Sequence, residues 1–401
     1  MLGNERNSRV VWLLTAVSYA VLFLYPVIPY GAAITSALAG AVFLLTGMEE
    51  RSGFFRKVTL YHGYMLLFTA FCFLSGLWAW DAGKSIEMGF SLLKSTIVIF
   101  LLFSYYQRHP DINALLKAIM WGGYLACAVV IFLYDPVKVI MILVTGRRID
   151  NTILNANTLG LIAAVTAIVH LHYILQNKKL YWPDSLLLFA VFMVAISGSK
   201  KALLFLVGGY FLLFTMKSLD SKNAGKSLLI SLTVLAAVTV MMLMLPMFSH
   251  LRIRIAEMIR GLLGKGHSNA STNLRMNYIR LGLAQFIKTP LLGIGMDCSS
   301  ILLEAEMGRS TYLHCNYVEL LVCGGITGAV LFYSIYGYFL YHFWKFRKNR
   351  DKNYSVFFVL TVLLLVTDIA MVSYYSKETF FYSMVLFTYI QSLKKEKSTR
   401  D

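Results

Sequence analysis

Charge is what this sequence has least of. Of 401 residues only 14% are Asp, Glu, Lys or Arg, while 58% are hydrophobic, and mean hydropathy is +0.65. A soluble domain carries charge on about a quarter of its residues. One water-soluble core cannot hide that much apolar surface, which sets aside a soluble enzyme, a DNA-binding protein and a disordered chain. Acidic residues are scarcer still: 20, against 37 Lys and Arg, for a formal net charge of +17. In a soluble protein that excess would point to nucleic acid. In a membrane protein it marks loops held against anionic lipid on the cytoplasmic side, so no nucleic-acid partner is expected. Metal-ligand spacing is missing as well. Cys72, Cys127, Cys298, Cys315 and Cys323 form no CxxC pair and no Cys/His pattern. No metal, cofactor or disulfide is expected, although a meeting of Cys298 with Cys315 on the outer face stays open. The start, MLGNERNSR, lacks a small-residue cleavage site and reads as the lead into a retained first span.

What the sequence does have is aromatic residues and long apolar runs. Tyr (24), Phe (27) and Trp (6) suit belts at two membrane interfaces. A helix needs roughly 17 to 25 apolar residues to cross a bilayer. Windows that qualify are 10–28, 31–48, 62–79, 88–106, 115–134, 156–175, 183–199, 202–217, 227–247, 313–343, 354–373 and 378–393. The expectation is an all-α polytopic integral membrane protein of about twelve transmembrane helices. It forms a single membrane domain over 1–401, with a long, partly helical extracytoplasmic loop at 248–312. The seventh and eighth windows are short and meet at Lys200 and Lys201, so one broken segment is the alternative there. The 313–343 window exceeds one crossing and is expected to tilt or protrude.

Lys and Arg in short loops set the orientation. With the N-terminus inside, twenty-one of them fall in inner segments and seven in short outer loops. Both termini are therefore expected in the cytoplasm. The inner loops read as plain anchors, for example WKFRKNRDK and KKEKSTRD. The outer ones carry mixed polar groups: GRRIDNTILNANTLG at 146–160, SGSKKALL at 197–204, and the long loop. Basic residues on that side run against the topology rule and call for a reason.

In the long loop, Asn273 or Thr272 is expected to cap a helix running to about Lys288. Leu274, Ile279, Leu283, Phe286 and Ile287 give it an apolar stripe, and Arg275 and Arg280 stand in its first half. Two roles fit these arginines equally: lipid anchors of an interfacial helix, or ligands of a substrate phosphate, which the planar guanidinium fork suits. His314 and Asn316 sit at the mouth of the next span, with Glu319 about one turn deeper. A histidine there is either a hydrogen-bonded structural group or the side chain best matched to taking a proton near neutral pH. A glutamate within a span is a functional candidate by default. It would orient His314 or line the acceptor path, unless it only links helices. Lys200 and Lys201 either snorkel or serve the site. Asn155 and Asn157, preceded by Arg147 and Arg148, either cap a helix near 157 or line another mouth. Asp368 lies mid-span with no partner evident in the sequence.

Taken together these stretches resemble the O-antigen polymerase and O-antigen ligase superfamily of bacterial envelope glycosyltransferases. The resemblance is carried by Asn155-x-Asn157, by Ser197-Gly198-Ser199-Lys200-Lys201-Ala202-Leu203, and by Arg275 fifteen residues before Pro290-Leu291-Leu292-Gly293-Ile294-Gly295. It continues in His314-x-Asn316-Tyr317-x-Glu319-Leu320 leading to Gly324-Gly325-Ile326-x-Gly328, and in Leu77-Trp78-Ala79-Trp80. The resemblance implies a GT-C-like enzyme of the cytoplasmic membrane with its active site on the outer side. Such an enzyme moves a glycan from undecaprenyl diphosphate to an acceptor hydroxyl, without a nucleotide sugar or a required metal. It implies that Arg275 binds the donor diphosphate and that His314 is the base. Lys200 would be a second phosphate contact where many members have Arg. Arg280, Lys201, Asn155, Asn157, Arg147, Arg148, Asn316, Tyr317 and Glu319 would line the substrate path. Membrane lipid, a chain-length regulator and a flippase are the implied partners. Polymerase, making O-antigen, capsule or exopolysaccharide, is the first expectation and ligase the second. A transporter or flippase is the rival class; no evident repeat supports it, and the polar groups cluster at the outer face rather than at the midplane.

Overall fold

The computed structural model describes residues 2–49, 58–145, 149, 153–177, 181–219, isolated positions between 225 and 256, and 270–398. The described residues are mostly helical and contain no β-strand. Among the described residues, six helices are long and apolar enough to cross a membrane: Leu60–Leu77, Ala82–Arg108, Ile112–Leu133, Ala156–Asn177, Lys200–Ser218 and Asn316–Phe346. Shorter apolar helices cover Ser8–Leu24, Gly31–Gly47, Trp182–Ser197 and Tyr354–Thr367. The described residues thus form an all-helical fold with the long apolar helices of a membrane protein. The 227–247 window lies almost wholly outside the described residues, as do Arg147 and Arg148.

The chain divides into two compact units. The first comprises Met1–Leu38, Asp111–Gly266 and Lys348–Leu363, and the second Ala39–Pro110, His267–Arg347 and Leu364–Asp401. In the first unit, α1 (Leu2–Leu24) packs on α5 (Ile112–Leu133), α5 on α7 (Ala156–Asn177), and α7 on both α8 (Leu186–Ser197) and α9 (Lys200–Leu219). Small residues make these approaches possible: Gly122 lies against the Ala16 backbone, Gly123 against Thr166 and Gly209 against Ile168. Between membrane helices close backbone approach is a main source of attraction, because lipid offers no hydrophobic penalty for separation. The seventh and eighth windows are two helices, not one, and Gly198 makes the break at φ 57°.

In the second unit, α3 (Leu60–Leu74) pairs with α4 (Ala82–Arg108) and with α12 (Asn316–Phe346), while α14 (Lys377–Ser398) packs on α4 and α12. Helix α10 (Ala270–Lys288) lies along α12, and α11 (Ser299–Met307) touches it. Two details correct the sequence reading. Helix α10 begins at Ala270, so Thr272 and Asn273 sit in its first turn instead of capping it. Its expected stripe is also split. Leu283 and Ile287 are exposed with Met276, while Tyr278, Gly282 and Gln285 face the protein, Gly282 against Leu313, Val318 and Val322. A helix apolar on two faces, one toward protein and one outward, defeats a single-stripe reading.

Helix α12 is 31 residues long, about 46 Å at 1.5 Å per residue, and solves its excess length by breaking. Gly325 has φ 60° and ψ −164° inside it. Only glycine takes this conformation without strain. The break frees backbone groups of α12, and the strap 290–295 binds them. The Ile294 and Gly295 amides donate to the Val322 and Cys323 carbonyls at 2.9 and 3.0 Å, and the Ile326 and Thr327 amides donate to Pro290 and Leu291 at 2.8 and 3.2 Å. On its other side the strap is held by the turn after α3. Trp80 N–H donates to Ile294 at 2.9 Å, the Trp78 indole to Leu292 at 3.0 Å, and the Ser85 hydroxyl to the Met296 carbonyl at 2.8 Å. The Leu77–Trp80, Pro290–Gly295 and Gly324–Gly328 motifs are therefore one interlocked backbone assembly.

Candidate active site

In the second unit the segment between α11 and α12 carries His314 in the left-handed region, at φ 61°. Such a conformation costs a non-glycine residue on the order of 1–3 kcal/mol and persists only where its surroundings enforce it. Both neighbours do so here. The Leu313 amide donates to Glu319 Oε2 at 2.7 Å, and the Ser299 hydroxyl donates to Glu319 Oε1. Glu319 itself is completely buried. Beyond the histidine, the Asn316 amide reaches the Asp368 and Met371 carbonyls at 2.8 and 3.1 Å. The Asn316 side chain donates to Tyr333 at 2.8 Å and to Asp368 at 3.1 Å, and accepts from the Ser373 and Tyr374 amides at 2.9 and 3.1 Å. The partners that the sequence did not reveal for Asp368 are thus Asn316, Tyr333 and Ser373. Tyr317 donates to the Leu365 carbonyl at 2.8 Å and stacks on Tyr333 with ring centres 4.8 Å apart. Asn316, Tyr317 and Glu319 are committed to holding the segment.

The half-buried imidazole lies between two tyrosines, parallel to Tyr278 at 6.1 Å and tilted against Tyr312 at 4.2 Å. With Leu274, Arg275, Tyr278, Arg309, Ser310 and Thr311 it lines a cavity of about 490 Å³. That volume is within the usual range for a small-ligand site. A local core containing Tyr278, Leu302, Leu313 and Val318 fixes the three walls together. Burial pushes the Tyr312 phenol above its ordinary range, with the Arg275 charge opposing the shift. Arg275 and His314 thus share one cavity. Arg280, five residues on and about 140° round the helix, is exposed and does not line it. Tyr278, Tyr312 and Arg309 were not singled out in the sequence. A lone basic residue in a loop carries no periodic signal, and a tyrosine on an amphipathic helix reads as core.

The remaining candidates are in the first unit. Asn155 caps α7 by accepting from the Asn157 amide at 2.9 Å, and Asn157 accepts from the Ser199 hydroxyl at 3.0 Å. Ser199 in turn accepts from the Ala202 amide at 3.3 Å, capping α9. Lys200 and Lys201, both half-buried, then occupy the first turn of that helix. Cations at the positive end of a helix dipole are disfavoured by about 0.3–1 kcal/mol each. Gly160 packs on Ser197 and Ala202, which ties the turn to α7. All five cysteines are buried free thiols, Cys298 and Cys315 included.

The arrangement defines a class: a polytopic membrane protein with a cationic, imidazole-bearing cavity held on a buried polar scaffold. Residues 185–333 match the family model described as O-antigen ligase, so this stretch of the chain is similar to the O-antigen polymerase and ligase superfamily. The matched stretch includes Lys200, Arg275 and His314. A search among curated proteins gave no match.

Proposed function

We propose that this protein is a bacterial surface-polysaccharide polymerase of the cytoplasmic membrane, with about twelve spans in a GT-C-like arrangement. Both termini lie in the cytoplasm and the His314 cavity opens outward. The donor is a glycan on undecaprenyl diphosphate, and the acceptor is a sugar hydroxyl of a second lipid-linked unit. In the reaction the acceptor oxygen bonds to the donor's anomeric carbon while the bond from that carbon to the diphosphate oxygen breaks. The proton of the acceptor hydroxyl passes to the neutral His314 imidazole. The leaving diphosphate keeps the bond electrons, and Arg275 stabilises the charge that collects on it. Fixed cations aimed at developing charge are worth most where water is partly excluded. Lys200 and Lys201 add positive charge to the donor path, as do Arg147, Arg148 and Arg280. A chain-length regulator and a flippase would work beside it.

One observation carries the reading: a strained histidine and an arginine lining the same cavity. His314→Ala should abolish polymer while the protein still inserts and accumulates; normal long-chain product from that variant would remove His314 from the mechanism. Arg275→Ala should be worse than Arg275→Lys, and full activity in both would favour a lipid anchor. The description of the matching family supports ligase as the second reading. Glycans of a deletion strain separate the two: single lipid-linked repeats accumulate if a polymerase is lost, unattached long polymer if a ligase is lost.

A further inference from the structure

We propose that Arg309 is a second diphosphate-binding residue, which acts with Arg275 across the cavity that holds His314. This rests on the donor chemistry proposed above and deepens it. In sequence Arg309 is an isolated cation 34 positions from Arg275. The fold brings the two to one site. Helix α11 ends at Gly308, which takes φ 64° and donates its amide to the Glu304 carbonyl at 2.9 Å. The Arg309 amide reaches back to the Leu303 carbonyl at 3.4 Å. A left-handed cap of this kind reverses the chain at a helix end. The reversal places Arg309, Ser310 and Thr311 on one wall of the cavity, while α10 supplies Leu274, Arg275 and Tyr278 to another.

The lining has a definite chemistry. Among the described residues it contains two guanidinium groups, one imidazole and three hydroxyls, and no carboxylate. Among the described residues neither Arg275 nor Arg309 has an ion-pair partner within 4 Å. Two cations facing one small space repel each other unless an anion lies between them, and each planar fork offers two parallel donors to a phosphoryl group. A ligand with two adjacent phosphoryl groups fits that pair better than a monoanion does. Arg309 is exposed, so it is open to a headgroup that sits on the water side of the cavity. On the outward face of α10, Met276, Leu283 and Ile287 are exposed together with Arg280.

The test uses the full-length protein in detergent, with inorganic pyrophosphate and farnesyl diphosphate as separate probes and affinity read by thermophoresis. Arg275→Ala and Arg309→Ala should each weaken pyrophosphate binding ~10- to 100-fold, the effect of one charge-assisted bidentate contact. Arg309→Lys should fall between Arg309→Ala and the unaltered protein. Lys348→Ala, which removes one charge elsewhere, should bind as the unaltered protein does. Tighter binding of farnesyl diphosphate than of pyrophosphate identifies a lipid-linked ligand, and equal affinity identifies the diphosphate alone; both support the role of Arg309. If Arg309→Ala does not accumulate, Arg309→Gln takes its place. Unchanged affinity in the Arg309 variants with a loss in Arg275→Ala overturns the assignment of Arg309 and leaves the donor reading standing. No uptake of either probe by the unaltered protein overturns both.

Discussion

The two polar neighbourhoods of this protein are built to opposite plans. Around His314, buried hydrogen bonds are spent on forcing one residue into a disfavoured backbone conformation, and the cationic side chains are left facing a cavity. Around Ser199, the polar groups relax the backbone. Asn155 caps one helix, Ser199 caps the next and Asn157 joins them. Strain that is enforced by its surroundings points to a reacting group, whereas satisfied caps point to construction. The lysines that follow Ser199 are the exception within the second neighbourhood, because cations are misplaced at a helix start.

The most severe way to test this contrast is to remove the strained residue's side chain. General acid–base groups contribute typically ~10²- to 10⁴-fold to rate. His314→Ala should lower polymer formation by that much or more, measured as glycan chain length in cells with protein level as the control. Ser199→Ala should leave polymer formation within severalfold. If the two variants lose activity equally, the contrast between a reacting site and a structural knot is wrong.

Next in size comes the backbone break. Gly325→Ala would place a methyl group against the Leu291 backbone at a φ of 60°, in the middle of the hydrogen bonds that tie the strap to α12. Strain of about 1–3 kcal/mol plus the loss of strap contacts should lower the thermal midpoint in detergent and reduce accumulation. Gly337→Ala is the comparison: the added methyl there meets nothing within 4 Å, so the midpoint should hold or rise. Equal behaviour of the two glycines would mean that the strap does not support the site.

Glu319→Gln asks whether the scaffold acts on the imidazole. The amide nitrogen of Gln cannot accept, so either the Leu313 N–H or the Ser299 hydroxyl loses its acceptor, at about 1–3 kcal/mol for a buried group. The histidine should then relax, lowering kcat more than it raises the KM for donor. Glu319→Asp, which keeps both acceptor oxygens on a shorter arm, should recover part of kcat. A loss of stability with kcat unchanged would reduce Glu319 to a helix link.

How far the sequence carried this picture depends on the reach of each interaction. Membrane helices were legible because the bilayer imposes a span of about twenty residues on a local stretch of chain. Asn155 was legible as a cap for the same reason, since the Asn157 amide it accepts from lies two residues on, whereas the bond from Ser199 to Asn157 spans 42 residues and was not. Asp368 was not, because Asn316 and Tyr333 approach it from another helix. Helix α12 was expected to tilt or protrude; its break depends on the strap 290–295, whose hydrogen bonds no local pattern encodes. Arg309 stayed invisible because only the turn at Gly308 brings it to His314's cavity.

The smallest expected effect decides what the lysines are for. Lys200 stands in the first turn of α9, where the helix dipole opposes its charge. If Lys200 served only the fold, replacing it would be neutral or would cost whatever its local contacts supply, and activity would follow stability. If it is kept for an anionic donor, Lys200→Ala should raise the stability of the isolated protein by about 0.3–1 kcal/mol while lowering polymer formation. Lys200→Arg separates charge from geometry: it keeps the dipole conflict but restores the bidentate fork. Activity at or above that of the unaltered protein is expected from that variant. Stability and activity moving together across all three proteins would assign Lys200 to the fold, and would leave the cations beside His314 to hold the donor without it.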